Sequence, residues 1–471
     1  MSHPAPSVAA QADARPLIAD LLSQFAADAS YESIPPAVRT YAKHLMLDAL
    51  GIAFASTQYD FARRWLSALS GMGSGESDVI GMPARLPLRD AVMMNGVLAH
   101  GLDYDDTYLP GGLHATASCF PCALAMAAHL GASGRELLSA YIVGMEAAAR
   151  LSAVAKGLLH QVGFHPTGLV ASFGCALTAG RLLGLDAVRL TMAQGIALST
   201  ASSSSRQYNQ EGAWTKRMHA GGAGVAGITA AFMAQQGIVG PRAVYEGRYG
   251  LFPSHLRDLV AQCDYSLATE KLGEVWEIER VAVKPFPVGQ LSIACIDAAI
   301  AIARTHAIQA DQVQSIRALV PREALAIVCE PAGIKRRPAD AYATQFSLHY
   351  GIACSFIKGR FGLAELEQFA DPEILALAAK VECEADPAAQ YPRYYSGELI
   401  VTLRDGRRFT HREQANRGSA DKPVSLDQIA GKFMDNAQRV MPADRAAQLR
   451  DLMLDIDRQT DSRALSRKLA S

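Results

Sequence analysis

AVMMNGVLAHGLDYDDTYLPGGLHATASCFPCALAMAAHL, residues 91–130, is the stretch on which the reading of this chain turns. Its two ends, AVMMNGVLA and ALAMAAHL, are apolar and dense in Ala, Leu and Met, the pattern of helices buried on most sides. Between them, His100-Gly-Leu-Asp103-Tyr-Asp105-Asp106-Thr107 and then His114 place three carboxylates, a hydroxyl and two imidazoles within fifteen residues. A solvated acidic loop does not belong between two such helices. Carboxylates crowded at low dielectric repel one another, so their pKa values spread apart. One site can then keep a proton donor and a proton acceptor at the same pH. Each of these residues alone would read as a helix end or a cap; their density between apolar flanks marks a functional site inside a helical fold.

Outward from this stretch the pattern stays helical from about Leu17 to Ala234, with apolar residues recurring at three and four. Ile34-Pro35-Pro36 opens one helix, because proline suits the first turn. Ser133-Gly134-Arg135-Glu136 reads as a capping box. Pro166-Thr167 opens another helix after His165, and Gly184 closes it. No strands alternate with these helices, which argues against a doubly wound sheet. Near residue 275 the character changes. Trp276 to Val283 alternates like a half-buried strand, Leu291–Ala303 is helical, Val313–Val320 is strand-like and Ala343–Lys358 is helical. Glu398–Leu403 and Arg408–His411 form a hairpin around Asp405-Gly406. From Ser425 the chain returns to helix. The expected fold is mainly α with an inserted α+β domain: a helical domain from residues 16–274 and 412–471, a smaller α+β lid domain at 275–411, and a loose terminus at 1–15.

Half of the 471 residues are apolar, 19% are charged and the formal net charge is −1, so no basic excess points to nucleic acid or a membrane surface. The first fifteen residues lack the basic start and apolar core of a secretory signal. No run of about 18 apolar residues suggests a membrane span. Eight scattered cysteines in apolar surroundings suggest free thiols in a reducing, cytoplasmic setting. Cys119-Phe-Pro-Cys122 has no second pair at zinc-ligand spacing and reads as helix packing.

Four more polar clusters interrupt the apolar pattern: Gly163-Phe-His165-Pro166-Thr167-Gly168, Thr215-Lys216-Arg217-Met218-His219, Val283-Lys284-Pro285-Phe286-Pro287, and His349-Tyr350. Together they supply cations for several carboxylates and His, Lys and Tyr as acid–base groups, which an anionic, multi-carboxylate substrate requires. Gly222-Ala-Gly224-Val-Ala-Gly227 is a literal G-x-G-x-x-G, but no strand precedes it, and small-residue helix packing accounts for it. Asp103-Tyr-Asp105-Asp106-Thr107 also resembles the D-x-D-D motif of class II terpene cyclases, yet only 7% of residues are aromatic, a thin supply for a cation-lining pocket.

In order, HGLDYDDTYLPGGLH, GFHPTG, TKRMHAG, GPRAVYEGRYGLF, VKPFPVGQ and FSLHYGIACSF resemble the MmgE/PrpD family over roughly residues 15–465. The resemblance implies a site in a cleft between a helical domain and a lid, a homodimer, and no metal or organic cofactor. It carries Asp103, Thr107, His114, His165, Lys216, Lys284 and Tyr350 into the site. The expected catalytic set is Asp103, His114, His165, Lys216 and Tyr350, with Thr107, Arg217, Lys284 and Gln290 binding substrate. Two departures stand out. Many members have a histidine five or six residues after the lysine of the K-P-[FY]-P turn, where this chain has Gly289 and Gln290, and glutamine cannot shuttle a proton at neutral pH. Gly111-Gly112 lengthens the loop before His114. Both point away from cis-aconitate decarboxylation. The expected activity is dehydration of a 2-methylcitrate-like acid through a carbanion-like state beside a carboxylate, the alternatives being epimerisation of an imino- or amino-dicarboxylate or decarboxylation.

Overall fold

The computed structural model of the protein describes residues 16–201, 204–208, 213–391 and 393–470. The segment 1–15 and Ser202–Ser203 of the serine run lie outside the described residues.

The architecture is mainly α with a small mixed sheet. The helix Met218–Gln235 is its axis, packed against Leu88–His100, Thr116–Leu130, Ala171–Leu182 and Ala187–Thr200. The glycines of the G-x-G-x-x-G run make that packing close. A Cβ on Gly224 would come within 2.5 Å of Val92, and one on Gly227 within 2.4 Å of Cys175. Local signals set the helix ends. Ser133 and Glu136 form the capping box ahead of Gly134–Val154, and Ser425 and Gln428 form another ahead of Leu426–Ala437. Gly134–Val154 is long and apolar enough to cross a membrane by length and composition, though Arg135, Glu136, Glu146 and Arg150 interrupt its apolar run; its most apolar 18-residue window is buried inside the protein.

The returning chain end packs on the beginning. Leu426–Ala437 and Ala443–Leu454 lie on Pro36–Ser56, and Ser462–Ala470 lies on Thr116–Leu130. In the middle segment β3 (Val313–Val320), β4 (Val381–Ala385), β5 (Gly397–Leu403) and β6 (Arg408–Glu413) form one sheet in the order β4-β3-β5-β6. Only the β3–β4 pair is parallel. Helix Ile293–His306 covers β5 and β6 and packs on Leu348–Lys358. The β5–β6 turn has Gly406 at φ +89°, as the Asp-Gly pair requires.

Four local expectations are corrected. Trp276–Val283 is no strand: Glu277–Arg280 is a 3-10 turn, and only Ala282 makes a bridge, to Thr107. Glu146 explains this, because its buried carboxylate accepts from the backbone N–H groups of Glu277 and Ile278 and so ties up the strand's donors. The helix expected over Ala343–Lys358 is two helices, Ala341–Thr344 and Leu348–Lys358, the second capped by Ser347. The helical first half contains a hairpin, β1 (Ser77–Val79) with β2 (Met82–Leu86), and β4 was not foreseen. All three strands are short, with three residues in β1 and five in β2 and β4, too few to establish a period.

Candidate active site

Asp103 is the hub. It follows the C-terminus of helix Leu88–His100 and has φ +49°, a left-handed backbone that strains a residue with a side chain and is a feature of functional sites. Its carboxylate lies 2.7 Å from Lys216 Nζ and 2.9 Å from Lys284 Nζ, and Lys284 also donates to the Asp103 carbonyl at 2.7 Å. All three side chains are buried. Burial alone would raise the Asp103 pKa, but the two ammonium groups hold it well below the usual carboxylate range. Burial would likewise lower Lys216, but Asp103 outweighs it and holds the ammonium charged. Lys216 comes from the 3-10 turn Trp214–Arg217 and Lys284 from the segment that Ala282 ties to Thr107 through reciprocal backbone bonds of 2.8 Å.

Around this hub the imidazoles form a stacked cluster. His165 has His219, His100, His114 and His160 within 5.2–6.0 Å of its ring centre, and Tyr208 packs edge-on against it. Burial holds His114 and His160 down to about 3 and His219 to about 4, and pushes His165 well below its usual value, with Lys216 adding to the effect. These rings are neutral at pH 7. The His114 tautomer follows from geometry: Nδ1 is 2.6 Å from the Asp106 carbonyl, an acceptor only, so Nδ1 carries the proton and Nε2 the lone pair. Thr107 Oγ1 lies 3.3 Å from the same nitrogen, and Thr167 accepts from the His114 backbone N–H. The two adjacent acids diverge as crowded carboxylates do. Burial pushes Asp106, which accepts from the Thr116 hydroxyl, well above the normal range. Burial also works to raise Asp105, but His100 and His114 hold it below.

A second ring of residues holds these loops in place. Lys432, on the returning helix Leu426–Ala437, donates to the carbonyls of Tyr104 (2.8 Å) and Lys284 (2.9 Å) and pairs with Asp48 at 2.8 Å. Gln345, freed by the break between the two helices, donates to the Leu102 carbonyl and accepts from the Gly289 N–H with its own.

Asp103, Thr107, His114, His165, Lys216 and Lys284 therefore converge as expected. Tyr350 does not join them. Its hydroxyl donates to the Glu365 carbonyl at 3.0 Å, because helix Leu348–Lys358 turns this residue toward the short helix Leu363–Leu366. Tyr208, against His165, is the tyrosine at the cluster. Arg217 donates to the Gly101 carbonyl between the rings of Phe61 and Tyr342, and its Nη1 has no partner among the described residues. Both amide atoms of Gln290 are buried and, among the described residues, without a hydrogen-bond partner. Gly111-Gly112 does more than lengthen the loop: a Cβ at Gly111 would overlap Ser152, and one at Gly112 would come within 2.4 Å of His160. The sequence reading did not select His219, Asp48, Gln345 or Lys432. His219 had the signal of its basic cluster; the other three had none.

Beside the cluster, a cleft of ≈ 960 Å³ runs between the helical part and the 391–421 region, with Gly112, His160, Arg206 and Arg280 among its walls. His160, on that wall, stacks on His165. His100, Asp105 and His114 have ligand atoms within 4.8 Å of one another, a spacing that suits a metal ion. However, the His114 nitrogen 3.7 Å from Asp105 is the protonated Nδ1, which donates to the Asp106 carbonyl, while Asp105 is hydrogen-bonded to His100.

Residues 20–262 match the MmgE/PrpD N-terminal domain and residues 286–458 the MmgE/PrpD C-terminal domain. The chain belongs to the MmgE/PrpD family. This MmgE/PrpD chain is 28% identical over 449 residues to the cis-aconitate decarboxylase of Homo sapiens, an alignment covering 90% of the chain and 88% of that relative. It is 27% identical to the Mus musculus cis-aconitate decarboxylase, with 91% and 88% covered. It is also 25% identical to a cis-aconitate decarboxylase of Aspergillus terreus (strain NIH 2624 / FGSC A1156), with 93% of each covered.

Proposed function

We propose that this enzyme decarboxylates a small unsaturated tricarboxylate of the cis-aconitate type. The observation that carries the reading is the convergence of two buried ammonium groups, Lys216 and Lys284, on one carboxylate within a cluster of neutral imidazoles. Two cations held by a single anion leave a net positive site, which draws in a polycarboxylate. In the reaction one C–CO2 bond breaks, CO2 leaves, and the electron pair stays on carbon, spread into the adjacent double bond and carboxylate. Ammonium groups fixed on that carboxylate stabilise the developing charge, and a nearby acid delivers the proton that forms the new C–H bond. The relatives named as cis-aconitate decarboxylases support this choice within the family.

Dehydration of a 2-methylcitrate-like acid, the reading the sequence favoured, is the second reading. The observation in its favour is Gln290, whose unpartnered amide can hold a substrate hydroxyl but cannot move a proton. Proton NMR in D2O with EDTA, using cis-aconitate, 2-methylcitrate and iminodisuccinate in separate samples, separates the cases. Loss of CO2 from cis-aconitate with deuterium in the product is expected. Water loss from 2-methylcitrate, or deuterium exchange into iminodisuccinate, with cis-aconitate untouched, would overturn the decarboxylase reading.

A further inference from the structure

We infer that His100, backed by Asp105, is an additional catalytic acid of this site, acting on the substrate through Nε2. His100 ends the helix Leu88–His100, and the loop that follows folds Asp105 back onto it. Nδ1 lies 2.7 Å from Asp105 Oδ2, and both side chains are fully buried. An ionised carboxylate only accepts, so Nδ1 carries a proton and Nε2 faces away from Asp105. Among the described residues, Nε2 is buried without a hydrogen-bond partner. Leaving a buried nitrogen unpaired is costly, so such an atom calls for an explanation, and a bound ligand is one. Its position fits that explanation, since the His100 ring is centred 5.1 Å from His114 and 5.7 Å from His165.

The other imidazoles are less suited to deliver a proton. His114 donates Nδ1–H to a backbone carbonyl, and a further proton would place a positive charge near Lys284 and Lys216. His165 Nδ1 and His219 Nδ1 lie 3.0 Å apart, one donating to the other, and no carboxylate is hydrogen-bonded to either ring to balance a charge, among the described residues. His100 is the ring of this cluster in direct hydrogen bond with a carboxylate, and Asp105 compensates the positive charge that a proton on Nε2 brings.

The inference rests on the decarboxylase reading, and the step balances within it. The substrate C–CO2 bond breaks and CO2 departs. The Nε2 proton moves to the carbon that keeps the electron pair, forming the C–H bond. The imidazole is left neutral with Nδ1–H on Asp105, and a solvent proton is taken up at Nε2 as the next tricarboxylate binds.

The test compares His100→Asn, His100→Gln and Asp105→Asn with the wild type on cis-aconitate. The asparagine amide can keep the hydrogen bond to Asp105, so a purely structural role would be rescued. The expected result for His100→Asn is a cooperative unfolding transition close to wild type, KM within about threefold, and kcat down by roughly 100- to 10,000-fold. Asp105→Asn lowers kcat in the same sense. A kcat for His100→Asn within threefold of wild type overturns the assignment. A second measurement needs neither a folded variant nor turnover. In wild-type enzyme labelled with 15N-histidine, tricarballylate, a saturated tricarboxylate that has no double bond to take up the electron pair, should move the His100 Nε2 resonance toward the protonated range. An unmoved resonance at saturating tricarballylate overturns the proposal. If cis-aconitate is inert with wild type while that resonance moves, the decarboxylase reading fails and the His100–Asp105 acid stands.

Discussion

Asp103→Asn should destabilise this protein more than Lys216→Met does, although it is nearly isosteric. Asp103 is the shared counter-ion of two buried ammonium groups at 2.7 and 2.9 Å. Neutralising it leaves both cations facing an amide. Stranding one member of a buried ion pair costs about 3–5 kcal/mol. Lys216→Met, by contrast, leaves Asp103 paired with Lys284 through a side-chain and a backbone contact. It forfeits one charge-assisted hydrogen bond, about 1.5–3 kcal/mol, part of which the buried methionine offsets. The expected gap is about 2 kcal/mol. The depressed Asp103 pKa fixes the conditions: a carboxylate with a lowered folded pKa contributes fully above its unfolded value near 4 and loses that contribution as pH falls below it. Guanidinium unfolding at pH 7.5, followed by tryptophan fluorescence, reads the difference. Tricarballylate supplies the missing anion, so at about 100 times its Kd it should return about 2.7 kcal/mol to Asp103→Asn. An Asp103→Asn protein within about 1 kcal/mol of wild type, or less destabilised than Lys216→Met, would refute the reading of Asp103 as the shared counter-ion.

Two further outcomes follow from the same geometry. His114, His160 and His219 are held neutral, at about 3, 3 and 4, against 6.5 in the unfolded chain. The unfolded state therefore binds more protons between pH 4 and 6.5, and stability rises with pH across that window by up to about 1.4 kcal/mol per unit for each ring; a melting temperature flat from pH 4.5 to 6.5 would contradict this. Lys432→Met strands Asp48 and frees the carbonyls of Tyr104 and Lys284, so it should cost about 3–5 kcal/mol. Asp48→Asn in the same chain should recover at least about 1 kcal/mol, whereas strict additivity in the double-mutant cycle would argue against the pair.

The sequence by itself determined whatever depends on neighbours a few residues away. Ser133 with Glu136 and Ser425 with Gln428 start helices through their own side chains, and Asp405-Gly406 turns a hairpin through its own backbone freedom. The stretch from His100 to His114 marked the site because its polar residues stand out against apolar flanks. Its crowding of carboxylates between apolar flanks also led to the expectation that their pKa values would spread apart; Asp105 is held low and Asp106 pushed high. Tertiary structure decided what depends on partners far along the chain. Glu146 captured two backbone donors of the 276–283 segment and turned an alternating pattern into a 3-10 turn. Tyr350, quoted in a family motif, was carried away from the cluster by the orientation of its helix. Lys284 reaches Asp103 across 181 residues, and Lys432 reaches Tyr104 across 328. Helical period and capping act over one or two turns and carry no information about such distances. Which lysine meets which carboxylate is settled when helices pack, because a buried charge is tolerated only where the fold delivers its partner.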